Sequence, residues 1–330
     1  MTKKRFFSRS KIRDGFLFLT LAVLLATFIV GKNYSAVALD GMRLFAVAVF
    51  PSVFPYFFIT SLLSSLSVTR DISKLLSRPS KKIFNAGGLV GYAYFISLLS
   101  GYPAGAKTVS DLRKRGLLSD SESVRASGIC STSSPSFLIS VVGGGIFGNG
   151  RFGALLFLSH LLSSLIIGFA CSFYKRKDKP RNELYIDAPK ADNVLYDCAF
   201  SSMISCLVAG GLITVFYVLA EMLLRSGLLN PLIGVLTAVF KDENLATGLS
   251  LGLFECTRAV KTVGNGAITF FTLPVLGAIS GFGGLSVIAQ SVAFLKNAKI
   301  KTAPFFFFKI SGAIVNFLIG MIFSAVYLFV

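Results

Sequence analysis

Ser100-Gly101-Tyr102-Pro103-Ala104-Gly105-Ala106-Lys107 follows directly on the apolar run Leu89 to Leu99. Two glycines and a proline at the end of such a run break a helix, because glycine costs backbone entropy and proline lacks a donor. Within hydrocarbon a break is tolerated only where protein or water covers the freed backbone groups. A break followed at once by a lysine therefore predicts a polar cavity inside a membrane. The alternative is a turn at the membrane surface, which glycine and proline also mark.

The rest of the chain supports a membrane setting. Of 330 residues, 54% are hydrophobic, and several apolar runs exceed the roughly 18 residues that span a bilayer. The expected class is an all-α polytopic membrane protein with the lipid bilayer as its solvent. A net charge of +18 would suit nucleic acid, but in a polytopic chain it is expected from basic cytoplasmic loops, so no nucleic-acid partner is expected. The five cysteines lie mostly in apolar runs with no CxxC pair, which argues against a disulfide frame or metal site.

Met1 to Asp14 is basic and precedes the apolar run Gly15 to Val30. An uncleaved first helix within residues 1–40 is expected; the alternative is a signal peptide cleaved near Ala36-Val37-Ala38. Leu44 to Leu66 is a span kinked by Pro51 and Pro55, and Arg70 to Lys82 is a basic amphipathic connection. The broken stretch comes next, then polar Lys107 to Arg125, then Gly128 to Phe147 with Cys-Ser-Thr-Ser-Ser-Pro at 130–135. Phe152 to Tyr174 is a clean span, and residues 175–197 form a hydrophilic linker. Beyond it lie a span from Ala199 to Leu224, the amphipathic stretch Pro231 to Phe240, and Asn244 to Phe254, which is too short to cross. Gly266 to Leu295 is interrupted at Gly281-Phe282-Gly283-Gly284, and Ala303 to Val330 is the last span.

Charge sets the sidedness. The N-terminus and the connections 70–82, 107–125, 175–190 and 296–301 hold 25 of the 33 lysines and arginines, so they are expected in the cytoplasm. Two consecutive basic regions then flank the broken stretch, which must enter and return as a re-entrant hairpin at 86–106. The same reasoning makes 244–262 a hairpin from the opposite side. Residues 41–174 and 198–330 then share one order of parts with opposite topology, giving about seven spans, two of them broken, plus two hairpins. Ala104-Gly105-Ala106-Lys107-Thr108-Val109 echoes Arg258-Ala259-Val260-Lys261-Thr262-Val263. An inverted repeat of this kind is a common plan of secondary transporters.

Candidate solute-binding residues lie at the four breaks. They are Ser100, Tyr102 and Lys107; Ser131, Thr132, Ser133 and Ser134; Arg258; and Gly284, Ser286 and Gln290. Pro135 suits the first turn of a half-helix, with the preceding hydroxyls as its cap and free N–H groups offered to an anion. Serine back-bonding at a kink is the plainer reading. Glu255 is the candidate for proton or sodium coupling; alternatively it pairs with Arg258, three residues on. The small residues around Gly284 could equally serve helix packing. His160, the one histidine, is expected to hydrogen-bond between helices, with a proton relay as the alternative. Gly143 to Gly148 is not followed by Lys-Ser/Thr, so no nucleotide-binding loop is present there. With no catalytic constellation visible, an enzyme is not expected, nor any cofactor beyond a coupling H+ or Na+.

At these same residues the chain resembles the YlbJ family of sporulation integral membrane proteins, in the nucleoside-recognition (Gate) domain group. The resemblance is carried by Phe50-Pro51-Ser52-Val53-Phe54-Pro55, the Ser100 to Lys107 string, Thr132-Ser133-Ser134-Pro135, Gly252-Leu253-Phe254-Glu255, and Gly284-Leu285-Ser286-Val287 with Gln290. It covers roughly residues 40 to 310. It implies a fold similar to concentrative nucleoside transporters, with paired hairpins and inverted repeats. Sporulation members are implicated in moving dipicolinic acid, a small aromatic dicarboxylate. The family's Asn-Thr-Ser-Asn-Pro-like segment carries serines here, at Ser131 and Ser134.

The expected function is a secondary transporter or facilitator of a small organic anion, dipicolinate-like or nucleoside-like. Its place would be the bacterial cell membrane, multi-pass with a cytoplasmic N-terminus, or the forespore membrane if the organism sporulates. The alternative is a non-transporting scaffold of a sporulation or envelope complex. Homo-oligomerisation is left open.

Overall fold

Hydrophobic runs of membrane length become long helices, and the glycine and proline signals become their interruptions. The computed structural model describes residues 29, 31, 33–65, 68–175 and 193–329, and all regular structure among them is helical. Most of the basic N-terminal segment, its first apolar run and most of the 175–197 linker lie outside the described residues.

The first described span, α1 (Tyr34–Ser65), contains a π-type turn over Phe45–Val49. Phe50 N–H there reaches back five residues to Phe45 O. Pro51 offers no donor to the carbonyl one turn back, and the added residue lets the chain pass it without ending the helix. Ser52 Oγ bonds Ala48 O and Val49 O, both at 2.9 Å, a serine back-bond to the turn before it. The basic amphipathic stretch forms α2 (Val68–Phe84) and meets α3 (Gly88–Ser100) at a 93° bend. Ser80 Oγ holds that corner through Gly87 O at 2.8 Å.

Helix α3 turns at Gly101 into α4 (Ala104–Lys114). Gly101 has φ +74° and ψ −165°, a region closed to side chains that carry a Cβ. Helices α5 (Asp120–Ile129) and α6 (Ser136–Ile146) are separated by the serine-rich segment, and α7 (Gly150–Cys171) follows. Ser119 and Glu122 form a capping box at the start of α5. Fully buried Arg125 bonds the carbonyls of Tyr174 and Lys175, beyond the end of α7.

The order then recurs. Span α8 (Val194–Arg225) is followed by short α9 (Asn230–Phe240), then α10 (Glu243–Gly252) turning at Leu253 to Glu255 into α11 (Cys256–Val263). Helices α12 (Thr272–Phe282) and α13 (Gly284–Asn297) join at a two-glycine break, and α14 (Ala303–Phe329) closes the chain. Among the described residues five segments are long and apolar enough to cross a membrane: α1, α7, α8, α12 with α13, and α14. The bent pair α2 and α3 makes a sixth if counted as one span. Phe200 and Leu207 on α8, and Phe307 and Ile322 on α14, stay exposed, as faces bathed in lipid would. The chain is thus a multi-pass, all-α membrane protein.

Two apolar cores position the breaks. One gathers around α3, α4 and α5 with Ile288 and Leu295 of α13. The other gathers around α10, α11 and α12 with Leu138 and Val142 of α6. Each helical hairpin therefore packs against a half-helix from the other part of the chain. Ser110 Oγ on α4 bonds Phe294 O on α13 at 2.9 Å. All five cysteines are buried and free.

Candidate functional site

The four interruptions, far apart in sequence, meet. The α3–α4 turn lies on the start of α6: a Cβ on Gly101 would stand 2.9 Å from Ser134 N. Ser97 Oγ bonds Thr132 Oγ1 at 2.8 Å and accepts from Thr132 N–H at 3.3 Å, so α3 also satisfies the unwound segment. Ser134 Oγ accepts from Phe137 N–H at 3.2 Å and caps α6, and Pro135 fills its first turn. The Tyr102 hydroxyl donates to the carbonyl of Ser280, near the end of α12.

The α10–α11 turn is held differently. Leu285 N–H and Ser286 N–H donate to the carbonyls of Leu253 and Phe254, at 2.9 and 3.0 Å. The free donors at the start of α13 are thereby spent on the turn's backbone. Gly284 lies so close that a Cβ would stand 2.9 Å from Phe254 O. Glu255, 1% exposed, caps α11: its carboxylate accepts from Arg258 N–H at 2.6 Å and from Thr257 Oγ1 at 2.7 Å.

Between these turns lies a cavity of about 640 Å³ of empty space, its open mouth included. Three of the breaks contribute, through Ser100, Gly101 and Tyr102, through Ser133 and Ser134, and through Glu255 and Thr257, while the half-helix after the fourth contributes Val287 and Gln290. The facing wall is apolar, built from Phe45, Val49 and Val53 of α1 and Ala209 and Ile213 of α8. A cavity with one hydroxyl- and amide-lined wall and one apolar wall fits a small flat solute with a polar edge. Glu255 is the only Asp, Glu, Lys or Arg on this lining, among the described residues.

The other candidates sit elsewhere. Lys107 bonds Ser201 Oγ at 2.8 Å and lines a second cavity with Asp111, Arg115, Tyr92 and Ser202. Phe57 and Ala104, on that second cavity, pack with Cys206, on the first, and part the two. Arg258 pairs with Glu221 of α8, which also pairs with Arg225, and its guanidinium lies 4.7 Å from the Tyr217 ring centroid. Ser131 is half-buried, and its hydroxyl has no hydrogen-bond partner. Gln290 Nε2 bonds Ser286 Oγ one turn back at 3.3 Å.

His160 joins three segments. Its Nε2 accepts from Ser133 N–H at 2.8 Å, and its Nδ1 lies 2.8 Å from the Asn316 amide. An imidazole accepting at Nε2 carries its proton at Nδ1, so the Asn316 oxygen belongs on the histidine side. The amide nitrogen then faces Ser159 Oγ, 2.9 Å from the other end of the amide. This is an interhelical bridge that fixes the unwound segment.

Two features are absent from the sequence candidates: Lys309, within the last span, and the α1 wall. A lone lysine inside a 27-residue apolar helix was the available signal for the first. Nothing local marks Phe45, Val49 and Val53, because their role depends on the π-type turn and on α8.

Comparison with known proteins agrees with this architecture. No protein-family model matches the chain. The sporulation integral membrane protein YlbJ of Bacillus subtilis (strain 168) is 29% identical over 323 residues, covering 89% of this chain and 78% of that protein. A doubly substituted form of the nucleoside transporter CNTnw, in an outward-facing state, superposes with a TM-score of 0.57 at 13% identity, covering 97% of this chain and 88% of that one. CNTnw in an inward-facing, substrate-bound state gives 0.54 at 15% identity, covering 96% and 83%. The chain is a distant relative of YlbJ and has the CNTnw fold.

Proposed function

We propose, for a chain that is YlbJ-like in sequence and built on a nucleoside-transporter fold, that it is a secondary transporter or facilitator of a small organic anion. One observation carries this reading: a single cavity is lined by three of the helix breaks and by the half-helix that starts at the fourth. Breaks expose backbone groups that hydrocarbon cannot solvate, and a wet cavity between paired half-helices is how transporters use them. The solute class is a flat dicarboxylate like dipicolinate, or a nucleoside-like solute, which the apolar wall and opposed hydroxyls suit. YlbJ, a sporulation protein, supports the cytoplasmic or forespore membrane as its place.

In this reading residues 41–174 and 198–330 are inverted repeats, with re-entrant hairpins at 86–106 and 244–262 and a cytoplasmic linker at 175–197. The recurring order of span, short helix, hairpin, broken pair and span supports it. Ser100, Tyr102, Ser133, Ser134 and Gln290 contact the solute, and Glu255 is the coupling candidate on the cavity wall. Lys107 attracts anions in the second cavity. Arg258 orders the second hairpin through Glu221.

The test is uptake of labelled pyridine-2,6-dicarboxylate and of uridine into proteoliposomes, at varied pH and sodium. Accumulation above empty vesicles, lowered at least fivefold by Gln290→Ala with Ser134→Ala, is the expected result. No uptake of either probe under any gradient would favour the scaffold reading.

A further inference from the structure

Lys309 lies seven residues into α14 and is 3% exposed. Its Nζ has no hydrogen-bond partner among the described residues. It sits over the ring of Tyr102, 4.5 Å from the centroid. A ring face attracts a cation but does not neutralise it. Tyr102 lines the cavity, so one aromatic ring stands between this amine and any solute there.

Among the described residues no carboxylate lies within ion-pair distance of Lys309. His160 of α7 and Cys256 of α11 lie close enough to interact with Lys309 electrostatically. Both His160 nitrogens are engaged, by Ser133 N–H and by Asn316. Glu255, beside Cys256, spends its carboxylate on the α11 cap. Helices α12 and α13 bring no titratable side chain except Lys296, near the far end of α13. On α5, Glu122 bonds Ser119 N–H and Gly87 N–H, while Arg125 bonds the carbonyls of Tyr174 and Lys175.

A buried ammonium with no counter-ion is costly, and a neutral amine is not. A carboxylate on the cavity side of Tyr102 changes that balance, because it provides the missing charge across a gap of low dielectric. We infer that Lys309 is a proton-binding site linked to the cavity: a carboxylate solute and a proton bind together. The amine takes the proton from water as the anion enters and returns it as the anion leaves. This inference rests on the transport reading and adds a second proton-linked group beside Glu255, the coupling candidate there. By reciprocity, protonation of Lys309 tightens the anion. Affinity for an anion is therefore highest at low pH and falls as pH rises and the charge is lost. A neutral nucleoside gains nothing from this charge.

Calorimetry on the detergent-purified protein tests it, with pyridine-2,6-dicarboxylate as the probe and two buffers of different ionisation enthalpy. The wild type is expected to take up close to one proton per anion at high pH and to lose on the order of tenfold in affinity towards pH 9. Lys309→Met, which replaces a buried charge by an apolar chain of similar length, should bind weakly at every pH with that uptake gone. Lys309→Arg, permanently charged, should bind without the pH dependence. Equal proton uptake in wild type and Lys309→Met would overturn the inference.

An anion-free arm separates the two failures. The melting temperatures of wild type and Lys309→Met should diverge between pH 6 and 9 if Lys309 changes charge in the folded protein. Parallel curves would overturn the inference and leave the transport reading standing. Diverging curves with no binding of the probe or of uridine would instead overturn the transport reading, and with it the anion linkage.

Discussion

The two helical hairpins occupy matching places in the chain order, yet they are tied down by different chemistry. The first turn is held by side chains: Tyr102 reaches the Ser280 carbonyl, and Ser97 satisfies Thr132. The second is sewn by backbone, through Leu285 N–H and Ser286 N–H, and stiffened by the Glu255 cap. Their cations differ too. Lys107 meets a serine beside a cavity, whereas Arg258 is locked to Glu221 on a long span. Matching position in the order of elements therefore does not imply matching duty. A turn held by a few side-chain bonds can be freed one bond at a time, and a backbone-sewn turn cannot.

Substitutions can break or sharpen that contrast. The largest effect is expected from Gly101→Val, which forces a Cβ into a glycine-only conformation and against Ser134 N. A loss of about 3–4 kcal/mol should show as a collapse of folded yield and melting temperature in detergent. Next is Glu221→Gln, which strips two arginines of their carboxylate where Arg258 and Glu221 are only 13% and 12% exposed. About 2–3 kcal/mol should be lost, and much of it recovered in Glu221→Gln with Arg258→Met, because the double variant removes the buried cation and leaves only Arg225, 43% exposed, without that carboxylate. Full additivity in that double-mutant cycle would show that the pair is not coupled.

Tyr102→Phe removes the one donor aimed at Ser280 and should cost about 1 kcal/mol. It should also raise protease sensitivity at the first turn more than at the second; equal sensitivity would erase the contrast. Smallest in stability is Lys107→Ala, whose side chain is only partly buried. Its melting temperature should stay within about 1–2 °C of wild type, corresponding to the few tenths of a kcal/mol usual for such positions. Its dicarboxylate uptake should fall severalfold. Arg258→Ala should instead lose stability first, so the two cations part company in one experiment.

Much of the fold was legible. Leu89 to Leu99, the Gly-Tyr-Pro break and the flanking basic runs anticipate α3, its turn and α4, because hydropathy and backbone chemistry act over a few residues. The Ser-Ser-Pro at 133–135 likewise announced the capped start of α6. The site was legible only as four places. That Ser134 touches Gly101, or that the donors of α13 are spent on Leu253 and Phe254, depends on contacts between segments tens to hundreds of residues apart. For Glu255 and Arg258, three apart, a side-chain pair was the alternative to separate solute and coupling duties, and the carboxylate takes the arginine's backbone N–H while the guanidinium turns to α8.

By itself the sequence determined that this chain lives in lipid, where its helices are interrupted and which residue types stand at each interruption. Those are consequences of transfer free energy and of glycine and proline geometry, which need no partner segment. Only the tertiary structure decided which charges face the cavity and which are consumed. Lys107 and Arg258 fall to other contacts, while Lys309, the lone lysine of its helix, ends over the Tyr102 ring. The physical reason is that a charge in a low-dielectric interior is defined by its neighbours in space, and spacing along the chain does not specify them.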